Sequence, residues 1–191
     1  MSNIDKTSLF MPDKKLNKEL MFKVLNDMDD VLGSLSVDIT FTIYGGAVMC
    51  MVHNSRRFTE DVDAMFKNFD ILLPLIDSLS KKYNLPSDWF NSQIEDLKYT
   101  IKDENLLLME GFKNMKVYYP CAEQMLAMKL HAARSKPKSD FDDALHLMHE
   151  LKIYDEESLK SILYKYIYKD CVNSRSLTFI QDLVAKVNAR W

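Results

Sequence analysis

Residues 38–66 read DITFTIYGGAVMCMVHNSRRFTEDVDAMF. Ile39, Phe41 and Ile43 alternate with the β-branched Thr40 and Thr42, the period-two pattern of a strand over 38–44. Gly45 and Gly46 follow at once, AVMCMVHNS continues as a short apolar helix, and DVDAMF alternates again, giving a second strand over 61–66. Strand, helix and strand in so short a span make a compact α/β unit.

The flanking sequence extends this unit. Apolar residues recur at helical spacing over 16–32, with Gly33 placed as a C-terminal stop. A second helix is expected over 70–83, with Pro74 in its first turn. Short strands are expected over 97–101, 106–109 and 115–119, ending at Pro120. Beyond Pro120 only helical periodicity remains, over 122–133, 141–151, 157–167 and 177–187. The pattern predicts an α/β (α+β) fold: a small mixed sheet with flanking helices over 16–120 and a helical region over 121–191 packed on it, all within a single domain spanning 1–191.

Composition narrows the classes. With 191 residues, 47% hydrophobic and 28% charged, the chain can bury a real core, which excludes disorder and a disulfide mini-scaffold. No apolar run approaches the roughly 20 residues that span a bilayer, so no membrane association is expected. The opening MSNIDKTSLFMPDKK has no secretory pattern, and a cytoplasmic location is expected. Cys50, Cys121 and Cys171 are far apart and outside any CxxC spacing, which suits reduced thiols. A net charge of −3 argues against a protein built wholly as a basic nucleic-acid clamp. Arg134, Lys136 and Lys138 form a local basic stretch suited to tRNA phosphates, though three charges are also an ordinary solvated loop.

Only four glycines and five prolines occur, so the adjacent Gly45 and Gly46 need a reason. Glycines between a strand and a helix let backbone N–H groups approach an anion; they also make a plain tight turn. Asp61 and Asp63, two apart on a strand, project to one face while Val62, Ala64 and Phe66 face the core. Two carboxylates so close repel unless a divalent cation joins them, and hard oxygen ligands suit Mg²⁺ with phosphates completing its shell. Taken alone, a DxD pair is better explained by a solvated strand face or a strand entry. No GxSxG, HExxH or GxxxxGK[ST] string occurs, and His146 and His149 lack a third ligand at metal spacing.

In this order, strand, Gly45-Gly46, apolar helix, then Asp61-Val62-Asp63, the segment resembles the nucleotidyltransferase superfamily with the polymerase-β-like fold. Fourteen residues, Ala47 to Glu60, separate the elements and include a basic loop, Arg56-Arg57-Phe58-Thr59. The resemblance implies that Gly45 and Gly46 hold the triphosphate of a nucleoside triphosphate and that Asp61 and Asp63 bind the catalytic Mg²⁺ (or Mn²⁺). A second segment, YYPCAEQMLAMKLHAARSKPKSDFDDALHLM, is similar to the helix pair of abortive-infection (AbiEii-like) toxin nucleotidyltransferases and related uncharacterised bacterial families. It carries Lys129, Arg134, Lys138, Asp140 and Asp143 in their order, with Ser139 as an extra residue before Asp140.

By that resemblance Lys129 contacts nucleotide phosphates, Asp140 or Asp143 completes the site, and Arg57 and Arg134 are further charge partners. The residues alone also allow a plainer reading. Ser139 with Asp142 is a capping-box pattern, and a Lys129 stem can lie along apolar surface with its charge outside. The resemblance further implies transfer of a nucleoside monophosphate to a hydroxyl of an RNA such as tRNA, a protein or a small molecule, with an antitoxin as a partner. Many superfamily members use a third carboxylate on a later strand, for which Glu110 is the candidate. Without it, a catalytically inactive nucleotidyltransferase-fold binding protein is the alternative, and a plain interaction domain is the third.

Overall fold

A computed structural model describes residues 15–66, 72–92, 100–101, 105–132 and 138–189. Within these, strand β1 (Ile39–Ile43) occupies the middle of a five-stranded mixed sheet ordered β3-β2-β1-β5-β4. Its neighbours are β2 (Val62–Phe66), antiparallel with Ile43 opposite Ala64, and β5 (Met115–Pro120), parallel with Ile39 opposite Met115. β3 (Phe90–Asn91) pairs in parallel with β2, and β4 (Leu106–Met109) runs antiparallel to β5. Phe41, Thr42 and Ile43 are all buried, because a central strand is covered on both faces and the alternation fades towards its end.

Three helices accompany the sheet: α1 (Lys18–Ser34), α2 (Gly45–Met51) and α3 (Leu73–Tyr83). Asn17 caps α1 by accepting from Leu20 N at 2.8 Å. Pro74 lies in the first turn of α3, where its missing N–H costs nothing, and Asn84 closes that helix in the left-handed conformation. The α1 terminus differs from expectation. Gly33 lies inside the helix, and Ser36 (φ 54°) takes the left-handed position beyond it. Gly33 answers to packing instead: a Cβ there would sit 2.6 Å from Asn114 Cγ. Asn114 belongs to the β4–β5 turn, which the buried Asp29 carboxylate of α1 holds by accepting from Lys113 N (2.9 Å) and Asn114 N (2.7 Å).

The C-terminal helices are α4 (Ala122–His131), α5 (Lys138–Leu151), α6 (Glu156–Tyr166) and α7 (Ser174–Asn188), with a 3₁₀ turn at Lys169–Cys171. α4 is buried along most of its length and packs against β5, α5, α6 and α7, so it joins the sheet to the helical layer. One hydrophobic cluster runs from Leu16 and Met28 through Phe41, Val48 and Val117 to Leu126, Leu147, Leu163 and Leu183. The expected capping box at Ser139 is not formed, since α5 has already begun at Lys138. The two-residue β3 was not foreseen, and the strand expected over 97–101 lies mostly outside the described residues; Ile101 makes an isolated bridge to Ile167. Arg134 and Lys136 also lie outside them, as does the Lys138 side chain. Cys50 is buried and Cys121 and Cys171 are half-buried, none of them in a disulfide. Among the described residues no helix is long and apolar enough to cross a membrane.

Candidate active site

The site grows from the point where β1 ends. Tyr44 N donates to Asp63 O at 2.9 Å, so β2 still runs beside the chain as it leaves the sheet. Gly45 then adopts φ +61° and sends the chain straight into α2, a conformation glycine takes without the steric penalty of a Cβ. A Cβ at Gly45 would lie 2.7 Å from Asp63 Oδ2, which means that the Asp63 carboxylate rests against bare backbone. At Gly46 the space of the missing side chain is occupied by Thr59 Oγ1 and, 3.1 Å from the Cβ position, by Arg56 Nη1. Thr59 is buried and pinned by paired backbone bonds with Leu16 (2.8 and 2.9 Å), so the loop leading to Asp61 is tied down just before it reaches that residue.

Asp61 stands one residue ahead of β2, and Asp63 lies within it; both are half-buried. Pairing of β3 sets the buried Asn91 opposite Asp63, and its amide reaches Asp61 Oδ2 at 3.4 Å and Asp88 O at the same distance. Burial pushes the Asp61 carboxyl above its ordinary range; the Asn91 amide opposes this, while Glu60 and Asp88 add to the rise. The protein therefore gives Asp61 less positive compensation than its charge calls for. All the donors at this corner are oxygens, a set that fits a hard divalent cation held by one or two carboxylates and completed by water and phosphate. Among the described residues no group of three His, Cys, Asp or Glu side chains gathers to hold a metal.

A second cluster adjoins the first. Asp140 and Asp143, three apart on α5, face α4 together, and Lys129 from the buried face of α4 reaches both, Asp140 Oδ1 at 2.8 Å and Asp143 Oδ2 at 2.9 Å. Asp143, whose side chain is 3% exposed, also accepts from Ser55 Oγ at 3.0 Å and Arg56 Nε at 3.1 Å, and pairs with Arg56 Nη2. Burial is the strongest influence on the Asp143 carboxyl and pushes it up, but Arg56 and Lys129 together outweigh it and hold it below its ordinary value. Two cations and two carboxylates thus balance in a nearly closed network, with the Lys129 side chain only 9% exposed.

Set against the sequence reading, Asp63 meets Gly45, and Lys129, Asp140 and Asp143 meet one another. The link between the two groups is Arg56, paired with Asp143 and touching the Gly46 position. Arg57 is exposed, its guanidinium 5.7 Å from the centre of the Phe58 ring. The candidate third carboxylate, Glu110, is displaced: it follows Met109, whose row across the sheet is Val117 and Phe41, towards the end where β1 begins rather than where Gly45 follows it. Ser55 and Asn91 were not anticipated, since neither carries a local pattern.

The family described as a nucleotidyltransferase of unknown function (DUF6036) matches residues 19–188, most of the chain. No curated protein matches, and no solved structure does.

Proposed function

Because the chain belongs to this family of nucleotidyltransferases, we propose that it transfers a nucleoside monophosphate from a nucleoside triphosphate to a hydroxyl acceptor. Asp61 and Asp63 would hold Mg²⁺ or Mn²⁺, and the turn at Gly45 and Gly46, bare of side chains, would receive the phosphates. The observation that carries this reading is Gly45, whose positive φ and missing Cβ let the Asp63 carboxylate lie directly against the backbone of the turn. A phosphate that approaches Gly45 also approaches an acid two residues from another acid, where like charges favour a bridging cation.

When bound, the metal supplies positive charge for the triphosphate and its leaving pyrophosphate. The chain's own part is to orient and to balance charge. Thr59 and its backbone pairing with Leu16 hold the loop, Asn91 fixes Asp61, and the Arg56–Asp143–Lys129 network backs the glycine turn. Positioning and fixed charge are the main contributions a protein makes to phosphoryl chemistry. The Lys129, Asp140 and Asp143 pattern supports a kinship with AbiEii-like toxin nucleotidyltransferases, with an RNA such as tRNA, or a protein, as acceptor, an antitoxin as partner and the cytoplasm as place of action.

A second reading is a nucleotide-binding protein without transfer activity, favoured by the placement of Glu110 away from the Asp61–Asp63 corner. The test is incubation with each α-labelled nucleoside triphosphate, Mg²⁺ and total RNA or protein extract, beside Asp61→Asn and Asp63→Asn. Label transfer lost in both variants supports the transferase. Mg²⁺-dependent nucleotide binding without label transfer supports the second reading, and absence of both refutes the two together.

A further inference from the structure

Resting on the proposal that phosphates lie at Gly45 and Gly46, we infer that Arg56, rather than its neighbour Arg57, is the side chain that contacts the triphosphate, with Asp143 as its positioning residue. Three features of the structure converge. Asp143 grips the guanidinium through Nε at 3.1 Å and through Nη2, which leaves Nη1 outside the pair. That same Nη1 lies 3.1 Å from where a Gly46 Cβ would stand, so the glycine is what gives the guanidinium access to the turn. The pair is buried on the carboxylate side, 3% exposed, and more open on the arginine side, 22% exposed.

A planar guanidinium fixed along one edge presents its remaining donors in a set direction, so little side-chain freedom is lost when a phosphate oxygen binds. Arg57 has no comparable brace: it is exposed and lies over the ring of Phe58. Asp143 is held in turn by Lys129 and Ser55, so a shift of α5 moves Arg56 with it. Contact with the charged tail rather than with the base makes Arg56 sensitive to the number of phosphates on the ligand.

The experiment measures the affinities of the whole chain for ATP, CTP, GTP and UTP and for their monophosphates, with Mg²⁺, in the wild type, Arg56→Gln, Arg56→Lys and Arg57→Gln. The expected result is that Arg56→Gln weakens triphosphate binding at least tenfold, the scale of a charge-assisted hydrogen bond, and leaves monophosphate binding within about threefold. Arg56→Lys, which keeps a charge for Asp143 but cannot serve it and a phosphate through two edges, loses an intermediate amount and serves alone if Arg56→Gln does not fold. An unchanged ratio of triphosphate to monophosphate affinity in the Arg56 variants, or a larger loss in Arg57→Gln, overturns the assignment while nucleotide binding stands. A wild type that binds none of the eight nucleotides overturns the parent reading and this one with it.

Discussion

Removal of the Asp143 carboxylate is the most demanding test of the site's architecture. In Asp143→Ala, Ser55 Oγ, Arg56 Nε and Nη2 and Lys129 Nζ all lose an acceptor at once. Lys129 retains Asp140 at 2.8 Å, but Arg56, 22% exposed, is left with an unpaired charge beside a cavity. Breaking one partner out of a buried ion pair costs about 3–5 kcal/mol, because the remaining charge is stranded away from water. Set against a total of about 5–15 kcal/mol for a domain, that is a large share of the stability. For a chain of this length it corresponds to a fall in Tm of roughly 6–20 °C. Urea titration followed by tryptophan fluorescence and by circular dichroism gives the free energy directly. The double variant Arg56→Met/Asp143→Leu, which removes both charges, should be less destabilised than the sum of its single changes. A loss below about 1 kcal/mol in Asp143→Ala, where only an exposed pair's worth is at stake, would refute the claim that the network is a buried, coupled unit.

Three further outcomes follow from the geometry. Gly45→Ala should lose about 1–2 kcal/mol, since an L-residue is strained at φ +61°, and should abolish nucleotide binding by displacing Asp63; a thermal melt and a binding isotherm read the two effects separately. Gly33→Ala should destabilise despite alanine's better helix propensity, worth about 1 kcal/mol, because its Cβ would press on Asn114 Cγ at 2.6 Å; a higher urea midpoint for the variant would show that the β4–β5 turn yields freely. Acid titration tests Asp143, whose carboxyl lies below its ordinary value when folded. Its contribution is fully present above the unfolded pKa, about 3.9, and is lost as pH falls through the folded value. Stability measured between pH 5 and 2 should therefore fall less steeply in Asp143→Asn than in the wild type.

Much of this was legible in the chain, and the parts that were not share a cause. β1, β2 and the glycine pair were readable because the strands alternate and the glycines follow directly, so local pattern and local structure coincide. Asp140 and Asp143 were singled out only by the resemblance; the helix expected over 141–151 begins earlier, at Lys138, and that added turn is what sets both on one face. Gly33 misled because a glycine near a helix end serves equally as a stop or as a point of close approach, and only the distant Asn114 decides which. Arg56 and Arg57 are identical in chemistry and adjacent in sequence; Asp143, on another element, chooses between them. Glu110 looked available because its strand was foreseen, but which end of the sheet it occupies depends on the parallel pairing of β5 with β1, which no local pattern encodes. Asn91 sits on a strand too short to show any period.

The parallel pairing of β1 with β5 has a consequence for the order of assembly. As a polypeptide lengthens from its N-terminus, β1, α2 and β2 can gather early, since their contacts are close in sequence. β5 must then be synthesised before β1 gains its second neighbour, and α5 before Arg56 meets Asp143. Long-range closures of this kind form late, because the intervening chain must first lose its freedom. The Arg56–Asp143 pair beside the glycine turn is thus among the last features to be completed. A nascent or prematurely terminated chain that stops short of α5 carries the glycines and both aspartates without the brace behind them.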